Sequence, residues 1–212
     1  MTRASIPPPR PVALRLLALV SYPLLILVAL WSQQPELRAL GLPLLAVALV
    51  GPWPAATAGW AILLASLLLA AAVLALPALA LWPPALVCLA VAAWFAHSLH
   101  GNSRPVIERF AAVVHEDQGR EMPTESLAWM RGWTLGWAIL LTVLGTVALI
   151  LAITHLTTLW LIWIMGVMPL MGFATLGLEH TLRRRRFPDQ EHWPLGRFLI
   201  TLFRIPPNRI VR

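Results

Sequence analysis

The chain has 212 residues, of which 59% are hydrophobic and only 12% are charged, and its net charge is +7. A soluble domain carries about twice that share of charged residues, so this composition excludes an ordinary soluble globular protein. The apolar residues form long continuous runs, which are typical of membrane-spanning helices. We therefore predict an all-α fold, a polytopic integral membrane helical bundle that forms a single membrane domain over residues 1–212.

Six apolar segments are candidate spans, since a span needs roughly 20 apolar residues. They cover residues 12–32, 38–56, 59–81, 83–99, 133–154 and 157–179. The second and fourth are the weakest, because prolines at 52, 54, 83 and 84 lie at their ends and cannot continue a helix without losing a hydrogen bond. The first segment resembles a signal peptide, but it is too long and lacks a clear cleavage site, so we interpret it as a retained span.

Two non-spanning segments have the spacing of amphipathic helices. In residues 105–115 the apolar positions are 106, 107, 110, 113 and 114, which lie on one face of a helix. Residues 194–205 show the same separation of apolar and basic positions. We predict that both helices lie in the cytoplasmic interface of the membrane.

The basic residues are all arginines, and they predict an orientation. With the N-terminus inside, six spans place every arginine except Arg38 in the N-terminal tail, the cytoplasmic loop 100–132 or the cytoplasmic tail 180–212. This arrangement satisfies the positive-inside rule. We therefore predict a protein of the bacterial inner membrane with both termini in the cytoplasm. Because the arginines flank apolar runs, no nucleic-acid partner is predicted.

A basic cytoplasmic surface is the main candidate binding site. Its members are Arg104, Arg109, Arg131, Arg183, Arg184, Arg185 and Arg186. Such a surface can bind anionic phospholipid headgroups, each arginine contributing about 1 kcal/mol, or a phosphorylated group or acidic protein. The alternative is that the four consecutive arginines act only as a stop-transfer signal.

A second set of polar residues lies near the predicted cytoplasmic ends of the spans. Its members are His97, His100, His115, Glu179 and His180. Imidazoles and carboxylates can together hold a metal, but the spacing is loose, and we favour interfacial histidines without a ligand. Glu179 is interpreted as an anchor that pairs with a nearby arginine. Neither a catalytic motif nor a metal or cofactor is predicted, and the single cysteine, Cys88, is interpreted as a small buried hydrophobic residue.

An aromatic stripe and a proline mark the last two spans. Trp129, Trp133 and Trp137 recur every four residues, with Gly132 and Gly136 beside them. This spacing predicts close helix packing, while a groove for a planar or acyl ligand is the alternative. Pro169, which is flanked by methionines, is expected to kink the sixth span.

Four short segments resemble one known family. They are residues 104–111 (RPVIERFA), 120–123 (REMP), 133–137 (WTLGW) and 183–188 (RRRRFP). The chain resembles, mainly over residues 98–190, uncharacterised membrane proteins encoded in bacterial aryl-polyene pigment clusters of the xanthomonadin type. The resemblance implies a setting in which a polyene is built on acyl carrier proteins and delivered as a lipid to the outer membrane.

Three functions follow from these features. The first is a non-catalytic anchor or scaffold that docks acyl carrier protein or synthase enzymes at the cytoplasmic face. The second is an exporter or flippase of the polyene lipid. The third is a membrane-embedded acyltransferase or metal-dependent lipid-modifying enzyme that uses the histidines. We favour the scaffold, because the basic surface and the amphipathic helices are present and catalytic motifs are not recognised.

Overall fold

The computed structural model describes residues 21, 24–29, 31–32, 34–50, 57–101, 103–117, 122–188 and 196. Helices and no strands are found in these ranges, which confirms the all-α prediction for them. The predicted first span, 12–32, lies largely outside the described residues, and so does the amphipathic helix predicted at 194–205. The chain divides into two compact units, residues 1–83 and 84–212, and each is described by itself.

The first unit is built on a pair of apolar helices. Helix α1 (Pro35–Val50) packs against α2 (Thr57–Ala75). Their shared core contains Ala39, Leu42 and Val73, together with Ala80 from the 3-10 turn Pro77–Leu81. Small alanine side chains allow the two backbones to approach closely, as is usual for helices in membranes.

The break after α2 corrects one sequence-based boundary. The prolines at 83 and 84 were expected to separate two spans, but both lie in the first turn of α3 (Trp82–His97). Proline is tolerated there because the first N–H groups of a helix have no intrahelical acceptor. The chain instead breaks at Leu76, where the backbone is non-helical, and Pro77 opens the 3-10 turn that leads into α3. Residues 76–81 therefore do not belong to the preceding helix.

The second unit contains a close contact between α3 and a long helix, α5 (Leu127–Ile153). A Cβ atom added to Gly145 would lie 2.9 Å from Leu89 Cγ and 3.3 Å from the carbonyl oxygen of Ala85. One turn earlier on α5, the carbonyl oxygen of Leu141 accepts a hydrogen bond from Cys88 Sγ at 3.3 Å. These contacts show that the two backbones approach each other at Gly145.

A short helix lies between α3 and α5. Helix α4 (Val106–Asp117) has the amphipathic pattern that the sequence predicted, and Pro105 immediately precedes it. The loop predicted at 100–132 is shorter than expected, because the 3-10 turn Thr124–Ser126 leads directly into α5. Arg131 lies inside α5, because a charged residue does not by itself terminate a helix. The helix therefore begins several residues before the apolar segment does.

The last helix follows a π-helical turn. Helices α6 (Thr157–Ile162) and α7 (Met168–Arg186) are joined by the π-helical turn Trp163–Val167. Pro169 lies in the first turn of α7. Because proline lacks an N–H and clashes with the carbonyl four residues earlier, a wider turn before it relieves the conflict. The structure places the predicted irregularity at this π-helical turn.

Three helical stretches of the described chain are long and apolar enough to cross a membrane, namely Ala78–His97, Thr124–Ile153 and Thr157–Arg186. A shorter apolar helix, Gly59–Ala75, is about 25 Å long by its rise per residue, against a hydrocarbon core of about 30 Å. The described part of the chain thus supports the prediction of transmembrane helices, with three helices of spanning length where six spans were predicted.

Candidate functional site at the arginine-rich end

The candidate site is the end of the second unit where α3 finishes, α5 begins and α7 finishes. The guanidinium Nη2 of Arg131, on α5, donates to the carbonyl oxygen of Leu99, just after α3, at 2.7 Å. The Trp129 ring on α5 meets the ring of Phe187, just after α7, at 6.0 Å in a T-shaped contact. We call this region, with α4 and the loop 98–105, the arginine-rich end.

Two buried hydroxyl groups attach α4 to the longer helices. Ser98 Oγ, on a residue only 2% exposed, accepts a hydrogen bond from the N–H of Val106 at 3.2 Å. Thr134 Oγ1, on a fully buried residue of α5, accepts one from the N–H of Ile107 at 3.4 Å. The first N–H groups of a helix lack intrahelical acceptors. These side chains satisfy two of them, so the N-terminus of α4 is held against α3 and α5.

Several of the predicted binding arginines have structural partners. Arg131 bonds to the Leu99 carbonyl, and Arg109 Nε donates to the carbonyl oxygen of Arg104 at 2.7 Å. The exposed guanidinium of Arg104 itself lies 3.6 Å from the largely buried carboxylate of Glu108. These three arginines therefore stabilise the loop 98–105 and the first turn of α4, and their charges remain at the arginine-rich end.

Glu179 forms a buried ion pair with an arginine of the same helix, α7. Its carboxylate Oε1 accepts a hydrogen bond from Arg183 Nη2 at 2.6 Å, and the glutamate is only 7% exposed. The two residues are one helical turn apart, which suits this pairing. The predicted pairing of Glu179 with a nearby arginine is present. Because the carboxylate is buried, losing Arg183 would leave a costly unpaired charge.

The predicted histidines are dispersed: His97 ends α3, His100 lies in the turn after it, His115 is on α4 and His180 is on α7. The rings of His97 and His100 stack with their centroids 6.4 Å apart. The Nδ1 atoms of His100 and His115 lie 3.0 and 2.8 Å from the carbonyl oxygens of Ala96 and Ala111. A carbonyl only accepts, so Nδ1 carries the proton in both. In the described residues, no three His, Cys, Asp or Glu side chains are placed to hold a metal ion.

Two open grooves lie at the arginine-rich end. The α4 groove, of about 530 Å³, runs between α4 and the start of α5, and its lining residues are Arg104, Glu108, Ala112, His115, Glu116, Met122, Thr124 and Leu127. The α5–α7 groove, of about 420 Å³, is lined by Glu125, Ala128, Trp129, Arg186 and Phe187. Both combine charged and apolar surface.

The tryptophan stripe contributes to the second groove. Trp129 and Trp133 pack against each other with centroids 5.8 Å apart. The neighbouring glycines do not mediate the predicted close packing, because a Cβ at Gly132 would meet no atom within 4 Å and one at Gly136 would meet only Trp133 Cε3 at 4.0 Å. The close approach of α5 to α3 is at Gly145, which no local sequence pattern marks. Ser98 and Thr134 are not predictable either, because their hydrogen bonds to α4 join residues on different elements.

Comparison with protein-family models, with curated proteins and with solved structures found no match to this chain. The resemblance to the aryl-polyene cluster family therefore stays a prediction.

Proposed function

We propose that the protein is a non-catalytic membrane anchor whose arginine-rich end docks an acidic protein at the cytoplasmic face of the bacterial inner membrane. The observation that carries the proposal is the distribution of charge. Residues 132–178, which form most of α5 to α7, contain no Asp, Glu, Lys or Arg. All the basic residues described in this unit lie at one end of that uncharged hairpin.

The proposed topology has six spans, with both termini inside. The three long helices supply three spans, and α1, α2 and the segment 12–32 supply the others. The positive-inside rule supports this arrangement, because the arginine-rich end then faces the cytoplasm and the uncharged turn after α5 faces outward.

Arg184 and Arg185 are the best candidates for partner contacts. Both are exposed, and neither forms a hydrogen bond or ion pair with the part of the chain that the structure describes. Carboxylates on an acidic partner would pair with them, and the surrounding positive potential would accelerate encounter. In the setting implied by the sequence resemblance, the partner is acyl carrier protein or a synthase enzyme.

A pull-down with purified acyl carrier protein tests the docking. The double variant Arg184→Gln/Arg185→Gln removes two charges, and Arg184→Lys/Arg185→Lys keeps them. Exposed pairs contribute about 0.2–1 kcal/mol each. The Gln variant should therefore bind roughly 2- to 30-fold more weakly than the wild type at low salt, and the Lys variant should bind nearly normally. Equal binding by the Gln variant and the wild type would contradict the proposal.

A deletion strain tests the biosynthetic setting and separates the anchor from the exporter. The anchor predicts loss of polyene lipid from both the inner and the outer membrane. Polyene that is made but retained in the inner membrane would favour the exporter. Alanine at His97 or His180 tests the enzyme, since normal product from both variants would exclude a catalytic role for these histidines.

A further inference from the structure

The α5–α7 groove contains two opposite charges that do not pair with each other. Glu125 lies in the 3-10 turn before α5, and Arg186 is the last residue of α7. Both are exposed, and the described part of the chain offers neither an ion pair nor a hydrogen-bond partner to these side chains. A groove of this kind suits a ligand that carries one positive and one negative group.

Aromatic side chains form the wall between these charges. Trp129 and Phe187 meet edge to face, and Ala128 leaves space beside them. The indole Nε1 of Trp129 is buried and finds no hydrogen-bond acceptor among the described residues, whereas that of Trp163 donates to the carbonyl oxygen of Leu144 at 3.0 Å. A buried donor without an acceptor costs about 1–3 kcal/mol. A ligand oxygen that reached this N–H would remove that cost.

Residues 132–178, which include no Asp, Glu, Lys or Arg, indicate the depth of the groove in the membrane. This stretch ends at Arg131 on α5 and at Glu179 on α7, so the hydrocarbon boundary lies near these residues. At about 1.5 Å per residue, Trp129 is about 3 Å beyond the boundary, and Glu125 and Arg186 are about 9–11 Å beyond it. The headgroup layer is about 5–8 Å thick on each side. The arginine side chain can extend back toward it.

We propose that the α5–α7 groove binds the headgroup of a phospholipid that carries a primary amine, such as phosphatidylethanolamine. Arg186 binds the phosphate through its paired N–H donors, and Glu125 accepts hydrogen bonds from the ammonium. Trp129 and Phe187 pack against the glycerol region, where indole rings are favoured. The inference rests on the membrane placement of α5 and α7 and is independent of protein docking by Arg184 and Arg185.

This chemistry discriminates between lipids. A quaternary choline has no N–H to donate to Glu125, and an anionic glycerol headgroup places no positive charge beside that carboxylate. The groove should therefore prefer phosphatidylethanolamine to phosphatidylcholine and phosphatidylglycerol with the same acyl chains.

Native mass spectrometry of the detergent-purified full chain, mixed with equal amounts of the three lipids, tests this preference. The wild type should retain phosphatidylethanolamine on the order of 10-fold better than phosphatidylcholine, as expected for one charge-assisted hydrogen bond. Glu125→Gln should abolish the preference, and Arg186→Gln should weaken binding of all three lipids. Arg185→Gln, which changes a neighbouring charge outside the groove lining, should behave as the wild type.

Equal retention of the three lipids by the wild type would overturn the proposal without reference to any variant. An unchanged preference in Glu125→Gln would overturn it as well, provided that the variant unfolds at the wild-type temperature. Water-soluble phosphoethanolamine at the same concentration should not displace the lipid, since it lacks the glycerol and acyl contacts. Complete displacement would instead identify the site as one for a soluble ligand. Failure of the acyl carrier protein pull-down leaves these outcomes unchanged.

Discussion

The contact between α3 and α5 makes a direct prediction about Gly145. The substitution Gly145→Ala places a methyl group 2.9 Å from Leu89 Cγ and 3.3 Å from the Ala85 carbonyl oxygen. The leucine can move, but the helix backbone at Ala85 cannot move without shifting α3. Overpacking of this kind costs about 1–3 kcal/mol, and the better helix propensity of alanine offsets up to about 1 kcal/mol of it.

Gly132→Ala on the same helix is the matched control. A Cβ at Gly132 meets no atom within 4 Å, so this variant receives the propensity gain without the clash. The two variants should therefore differ by about 1–3 kcal/mol in the free energy of unfolding, with Gly145→Ala the less stable. Thermal unfolding in detergent, followed by the loss of helical circular dichroism, measures the difference.

A double variant tests the cause. Adding Leu89→Ala to Gly145→Ala removes the closest contact, so the combined loss should be smaller than the sum of the two single losses. If Gly145→Ala is as stable as Gly132→Ala, or if the two losses simply add, then α3 and α5 do not approach each other at this glycine.

Three further substitutions test the attachment of α4, the turn after α5 and the link between the last two long helices. Ser98→Ala leaves the buried N–H of Val106 without its acceptor and should lower the free energy of unfolding by about 1–3 kcal/mol. Faster hydrogen exchange at the start of α4 would show the loss. Unchanged exchange would argue against the attachment. His155 has a φ of +56°, a backbone conformation that glycine adopts without strain. His155→Gly should therefore raise stability by up to about 1–2 kcal/mol in a thermal unfolding assay, while His155→Ala should not. Trp163→Phe removes the hydrogen bond to the Leu144 carbonyl and should lower stability by about 0.5–1.5 kcal/mol, and a neutral effect in the same assay would show that this bond contributes little.

The sequence predicted α4 well because its apolar positions repeat with a helical period. The spans were harder to delimit, since a proline marks a break in one context and a helix start in another. Pro83 lies at a helix start, whereas the real break is at Leu76, which has no distinctive composition. The length of a helix also depends on where that break is, since residues 76–81, which were predicted to belong to the third span, lie beyond the end of its helix.

The site was only partly accessible from sequence. The arginines were recognisable as a group, but their separate roles depend on carbonyl oxygens that are distant in sequence, such as that of Leu99 for Arg131. The α5–α7 groove brings together Glu125 and Arg186, which are far apart in the chain. No local pattern predicts such a pair, because it arises from the antiparallel return of α7 alongside α5.

The turn after α5 has a consequence for how the protein enters the membrane. It consists of Thr154, His155 and Leu156, and the backbone N–H of Leu156 bonds to the carbonyl oxygen of Leu151. A turn this short leaves no room for the two helices to be threaded separately, so they should insert together as a hairpin. Three threonines and one histidine near the tip are then the polar residues that must be carried across the hydrocarbon, while Arg131 and Arg183 stay behind. Insertion of this pair should therefore need neither translocation of a charged residue nor a large opening in the bilayer.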